Sequence, residues 1–183
     1  DQPKYWVYLD PTWDWKTLTY STYGTFFQKT VDMVGPLMAS NSSDLSAFRK
    51  RGGKLIMYHG WSDQLIMPEG TVRYYEAVKQ RVGTTDFAKL FMVPGMAHCS
   101  GGTGPDQLGQ QVTGVVPQTP DRDVFRALMA WSENSREPNT VTASNVTNGV
   151  TTRTRPLCAY PLVAKYKGSG SSDDASNFSC VSP

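Results

Sequence analysis

Two short apolar runs, Leu55-Ile56-Met57-Tyr58 and Lys89-Leu90-Phe91-Met92-Val93, stand out along this chain. Runs this short, bounded by glycine and turn residues, predict buried strands. Between them Val72, Tyr75, Val78 and Val82 recur every three or four positions and predict a helix opened by Pro68-Glu69. Ahead of the first strand a helix is expected over about Ser43 to Arg51, capped by Ser43 or Asp44, with Leu45 and Phe48 facing inward and Gly52-Gly53 stopping it. After the second strand a glycine-rich loop from Gly95 to Gly109 leads to a third helix, expected to start near Thr119-Pro120 with proline at its first position. Its Val124, Leu128 and Trp131 fall at i, i+4 and i+7, and Phe125 and Met129 widen the face. This alternation of helix and strand predicts an α/β fold, a mainly parallel sheet flanked by helices. Two strands cannot form such a sheet alone, because parallel sheets need neighbours and cover on both faces.

The flanks read differently. Residues 1–20 carry Tyr5, Trp6, Tyr8, Trp13, Trp15 and Tyr20, interrupted by Pro3 and Pro11, which predicts a packed extended segment rather than a helix. Such a segment is core, or else it lines an aromatic-binding pocket. Beyond Pro138 the pattern dissolves into Thr, Asn and Ser, and the stretch from Arg155 to Pro183 shows no periodicity. The expected organisation is therefore one α/β portion over residues 1–140, with 1–40 as an aromatic-rich lead-in, and an irregular tail over 141–183 packed on the same domain.

Charge and cysteine usage narrow the setting. The net charge is +2 over 183 residues with both signs interspersed, which argues against nucleic acid or an anionic membrane as the main partner. The one compact basic run, Arg49-Lys50-Arg51, reads as the solvated end of a helix. The apolar runs are too short to span a membrane, and no N-terminal stretch has the pattern of a secretory leader. A chain beginning at Asp1 reads as a processed or excised piece. Asn41, Asn145 and Asn177 each open an N-x-S/T sequon, which points to a secretory route and an oxidising compartment. There, two of Cys99, Cys158 and Cys180 would pair and the third would need a partner elsewhere. Cys158 and Cys180 flank a Gly/Ser/Asp-rich stretch of the kind a bridge holds, which leaves Cys99; a free thiol in a cytosolic protein is the alternative. No metal site is expected, since HxxxH and CxxC spacings are missing and Asp173-Asp174 lack the alternating oxygens of a calcium loop.

The candidate chemistry lies just past the two strands. Asp63 follows the first in Tyr58-His59-Gly60-Trp61-Ser62-Asp63, and His98 follows the second in Pro94-Gly95-Met96-Ala97-His98-Cys99. A carboxylate and then an imidazole, at the carboxyl ends of successive strands, is the order of the last two members of a Ser-Asp-His triad. In such a triad the carboxylate orients the imidazole and the imidazole takes a proton from serine. The G-x-S-x-G turn that presents the serine does not occur in this chain. His59, at the strand end, is a weaker candidate, expected to hydrogen-bond to backbone.

At these residues the chain resembles the tannase and feruloyl esterase family of α/β-hydrolases. The matching stretches include Asp44-Leu45-Ser46-Ala47-Phe48-Arg49, Gly52-Gly53-Lys54-Leu55-Ile56, the two loops above, Tyr74-Tyr75-Glu76, Arg155-Pro156-Leu157-Cys158 with Tyr160-Pro161, and Tyr166-Lys167-Gly168-Ser169-Gly170. The resemblance covers nearly the whole chain, but only the C-terminal part of the family pattern. It implies a secreted hydrolase of aromatic esters such as gallate or ferulate, with Asp63 and His98 as acid and base. It implies that Cys99 bridges to a cysteine just before the nucleophilic serine, and that this Cys-Ser pair, the oxyanion hole and a lid with its calcium site lie upstream or on a partner chain. The rival expectation is a disulfide-stapled extracellular module that binds sugars or phenolics on Tyr and Trp without turnover.

Overall fold

Strands β1 (Leu55–Gly60) and β2 (Ala88–Val93) run parallel, in register from Leu55 opposite Ala88 to Gly60 opposite Val93. The computed structural model describes residues 1–111 and 114–183. Side chains alternate across the pleat, so Ile56, Tyr58, Phe91 and Val93 enter one core, with Val141, Ala143 and Leu157. Leu55, Met57, Leu90 and Met92 enter a second, with Tyr75 and Val78 of the helix Pro68–Val82. That helix, α3, follows the predicted stripe. The helix Val124–Asn134, α4, brings Ala127 and Val124 to the first core. Both faces of the parallel pair are thus covered, as its continuous apolar sequence demands.

The two edges of this pair differ. Among the described residues β1 pairs with β2 alone. Past the far side of β2 the chain returns in the opposite sense: Phe91 bridges Ala159, and Tyr160 N–H donates to the Leu90 carbonyl at 2.8 Å. Among the described residues the parallel arrangement is confined to β1 and β2. The stretch expected to be irregular instead forms two antiparallel pairs, β3 (Thr140–Thr147) with β4 (Val150–Cys158), and β5 (Val163–Tyr166) with β6 (Phe178–Val181). Asn148 and Gly149, at φ 50° and 76°, turn the first hairpin, since a two-residue loop that matches the strand twist needs positive φ at both positions. The disulfide Cys158–Cys180 ties β4 to β6, as the sequence led us to expect. The Arg155 guanidinium lies 3.9 Å from the centre of the Phe178 ring.

Two helix starts differ from expectation. The helix before β1, α2, covers only Ser46–Lys50, with Leu45 at its cap position and the Asp44 side chain accepting from Ser46 N–H at 3.1 Å. Thr119-Pro120 forms a turn ahead of α4, closed by Asp123 N–H on the Thr119 carbonyl, and Asp123 is the true cap, accepting from Phe125 and Arg126 N–H. Phe125 consequently points outward, at 64% exposure.

The chain divides into two compact units, Asp1–Ser42 and Ser43–Pro183. The first is helical, not extended: a π-helical turn at Pro3–Val7, a 3-10 turn at Trp15–Thr17 capped by Asp14, and α1 (Tyr20–Met38), which opens on a capping box between Thr19 and Thr22. Its aromatics stack on one another, Tyr8 on Trp13 at 4.8 Å and both near Phe26, and the Lys29 ammonium sits 4.4 Å over Tyr8. Within the second unit β3 and β4 contribute Val141, Ala143 and Leu157 to the same core as β2. Among the described residues no helix is long and apolar enough to cross a membrane.

Candidate active site

The loops after β1 and β2 are stitched together at the carboxyl ends of the strands, the edge at which open α/β sheets place their sites. Trp61 N–H donates to the Val93 carbonyl and Ser62 N–H to the Met96 carbonyl, each at 3.0 Å. A β-carbon on Gly60 would stand 2.1 Å from the Met96 carbonyl oxygen, so glycine is what permits this approach. Asp63 then folds back on its own chain. Its Oδ1 accepts from Leu65 and Ile66 N–H, both at 2.9 Å, in the turn that precedes α3.

His98 meets this carboxylate from the other loop. His98 Nδ1 lies 2.9 Å from Asp63 Oδ2 and 3.2 Å from Oδ1, so an N–H there donates to the carboxylate. The Asp63 side chain is 4% exposed and that of His98 40%. Removal from water acts to raise the Asp63 carboxyl, but the N–H groups of Ile66 and Leu65, then His98 and His59, outweigh it and hold it well below the usual carboxylate range. The carboxylate therefore stays ionised and fixes a proton on Nδ1, which leaves His98 Nε2 as the basic nitrogen. Among the described residues Nε2 has no hydrogen-bond partner, and no serine hydroxyl reaches it.

His59 does not bond to backbone. Its Nε2 is 3.0 Å from Asp63 Oδ2 and its Nδ1 2.7 Å from Thr71 Oγ1, so it shares the carboxylate with His98. Cys99 is exposed and unbridged in this chain, and it adopts the left-handed backbone at φ 62°. The turn that presents it is closed by Ala97 N–H on the Gly101 carbonyl and anchored by buried Asp106, which accepts from Gly101 N–H at 2.6 Å. Thr71 and Asp106 were not identified from sequence. Thr71 could have been sought one helical turn into α3, whereas Asp106 lies in a glycine-rich loop whose path carries no periodic signal.

Around the pair, Trp61, Leu65, Ile66 and Met67 are exposed apolar side chains. A groove of about 390 Å3 lined by Trp61, Pro94, Arg155, Tyr160 and Phe178 lies alongside, but neither Asp63 nor His98 lines it. No group of three His, Cys, Asp or Glu among the described residues is arranged to hold a metal ion. Of the sequons, Asn41 is exposed, Asn145 lies half-buried on β3, and Asn177 donates its amide to the Ser171 carbonyl at 2.9 Å.

Comparison with known proteins finds similarity to esterases. The sequence pattern of the family "Tannase and feruloyl esterase" matches residues 5–181. A mono(2-hydroxyethyl) terephthalate hydrolase of Piscinibacter sakaiensis is 41% identical over 179 residues, which is 96% of this chain and 26% of that protein. A probable feruloyl esterase of Arthroderma benhamiae is 34% identical over 94% of this chain and 31% of its own length. The crystal structure of an esterase from Aspergillus oryzae superposes with a TM-score of 0.84 at 32% identity, over 98% of this chain and 36% of that one. The fold is that of the α/β-hydrolases, and the chain spans only about a quarter to a third of the length of these proteins.

Proposed function

We propose a function that proceeds from one premise: this chain belongs to the tannase and feruloyl esterase family. It is the C-terminal part of a secreted serine hydrolase that cleaves esters of aromatic carboxylic acids, plant gallates or ferulates among them. Asp63 and His98 are its acid and base, and the nucleophilic serine is carried upstream or on a partner chain of the same precursor. The observation that carries this reading is His98 itself, held at Nδ1 by an ionised, buried Asp63 while Nε2 stands unpartnered at 40% exposure.

The chemistry follows from that orientation. The serine Oγ attacks the ester carbonyl as Nε2 takes its proton, and Asp63 stabilises the resulting imidazolium without being protonated. As the tetrahedral intermediate collapses, Nε2 returns the proton to the departing alcohol. Water then attacks the acyl-enzyme with Nε2 again as base, releasing the aromatic acid. The unpaired edge of β1 and the apolar rim of Trp61, Leu65, Ile66 and Met67 support a further segment over this site. Exposed Cys99 beside His98 supports a bridge to a cysteine next to the serine. The Cys158–Cys180 bridge and the exposed Asn41 sequon support secretion.

The test is to label the assembled enzyme with a fluorophosphonate and map the modified peptide. The label is expected on a serine outside this chain, beside a cysteine, and to be lost in Asp63→Asn and His98→Ala. Modification of a serine within this chain would overturn the assignment. Binding of phenolics without any labelling or turnover would favour a non-catalytic module.

A further inference from the structure

We infer that His59, held by Thr71, is a positioning residue that fixes the rotation of the Asp63 carboxylate for His98. This rests on the reading of Asp63 and His98 as acid and base given above. Four donors converge on the carboxylate: Leu65 and Ile66 N–H at Oδ1, and His98 Nδ1 and His59 Nε2 at Oδ2. The two backbone donors anchor one oxygen. The other is shared by two imidazoles, at 2.9 Å from His98 and 3.0 Å from His59.

The Asp63 carboxylate sets which proton His59 offers, and the Thr71 hydroxyl anchors the other ring nitrogen. An ionised carboxylate only accepts, so His59 must present Nε2–H to it. Its Nδ1, 2.7 Å from Thr71 Oγ1, then accepts the hydroxyl proton of Thr71 in the neutral ring. Without that hydroxyl the ring loses its anchor at Nδ1 and is held by Asp63 alone. The origins of the two partners matter as well. His59 is on β1 and Thr71 is in the first turn of α3, while Asp63 and His98 both sit on loops. His59 therefore refers the carboxylate to the rigid sheet and helix. His59 and Asp63 are 12% and 4% exposed, so water screens their contact little.

The role is expressed when His98 becomes cationic. Positive charge on His98 draws the carboxylate toward it, and the His59 N–H on the same oxygen limits that swing. The effect should appear in turnover more than in substrate binding, because the strained geometry arises only as the proton moves.

The experiment compares His59→Leu, Thr71→Val, His59→Gln and Thr71→Ser in the assembled enzyme with methyl ferulate as probe, beside Asp63→Asn. His59→Leu and Thr71→Val are expected to lower kcat about 10- to 100-fold, the range for a charge-assisted hydrogen bond, with KM within about twofold. His59→Gln keeps an N–H at the Nε2 position and Thr71→Ser keeps the hydroxyl, so both should recover most of the turnover. The proton resonance of His98 Nδ1–H should shift in Thr71→Val, which touches neither catalytic side chain. Thr71→Val nearly preserves shape and carries the test if His59→Leu does not fold. Near-normal kcat in both, with turnover lost in Asp63→Asn, overturns the positioning role alone. Loss without recovery by glutamine or serine assigns the effect to packing and also overturns it. Normal turnover in Asp63→Asn would instead sink the reading of the pair itself.

Discussion

Gly60 lies directly against the carbonyl of Met96, close enough that a β-carbon would stand 2.1 Å from its oxygen. This contact brings the loop bearing Asp63 to the loop bearing His98. In Gly60→Ala the Met96 backbone must give way, and an error of about 1 Å in such a pair costs on the order of a hundredfold in rate. Turnover of the assembled Gly60→Ala enzyme should fall by about that factor, with a lower melting temperature. Unchanged kinetics would mean that the loops are aligned by other contacts.

The Asp63 carboxyl should remain ionised well into acid. Its folded pKa lies below the unfolded value of about 3.9. It therefore stabilises the native state above that pH, and the contribution is lost as pH falls through the lowered folded value. In side-chain-labelled enzyme the Asp63 carboxyl carbon resonance should stay at its ionised position from pH 7 to 4. A midpoint at or above about 3.9 contradicts the donor arrangement.

Removing the Cys158–Cys180 bridge, which closes a separation of 22 residues, should destabilise the protein by about 3 kcal/mol in the loop-entropy picture. Denaturant unfolding of Cys158→Ala, Cys180→Ala enzyme measures this. Turnover should be retained below the new melting point, since among the described residues Asp63 and His98 make no hydrogen bond to β4, β5 or β6. A loss of kcat at low temperature would tie the tail to the site.

Cys99 offers a separation of cross-link from backbone. Its φ of 62° disfavours any side chain, so Cys99→Gly should relieve roughly 1 kcal/mol of conformational cost. If Cys99 is bridged beside the serine, Cys99→Gly and Cys99→Ser should both lose turnover, and reduction of the native enzyme should mimic them. Full activity in Cys99→Gly would show that the left-handed turn, not a bridge, is what the site needs.

The parts of this molecule that were legible in the sequence are those where one signal decides. The apolar run of β2 is buried on both faces, that of β1 is half-buried against the same two cores, and the stripe of α3 admits only helical spacing. Order along the chain was enough to pair Asp63 with His98. The hairpin of β3 and β4 was missed although Asn148-Gly149 sits between β-branched residues, because Thr, Asn and Ser dominate both strands and hide the alternation. α1 was not foreseen, although Tyr23, Phe27 and Val31 recur at helical spacing; all three are exposed, so that stripe marks no core. Pro120 suggested a helix start that Asp123 supplies three residues later, because a side-chain oxygen satisfies the first N–H groups and proline cannot. Asp106 acts through the path of a glycine-rich loop and Thr71 through a contact between α3 and β1, neither of which a local pattern encodes.

The unequal edges of the parallel pair bear on how separate copies of the chain would associate. The returning chain at Phe91–Ala159 occupies one border, while among the described residues no strand pairs with the outer border of β1. Strand-by-strand growth needs two free borders per molecule, and this pair has one. Chains meeting through β1 would therefore terminate as closed couples rather than propagate as fibres, and a supplied strand from the rest of the enzyme would compete for that same border.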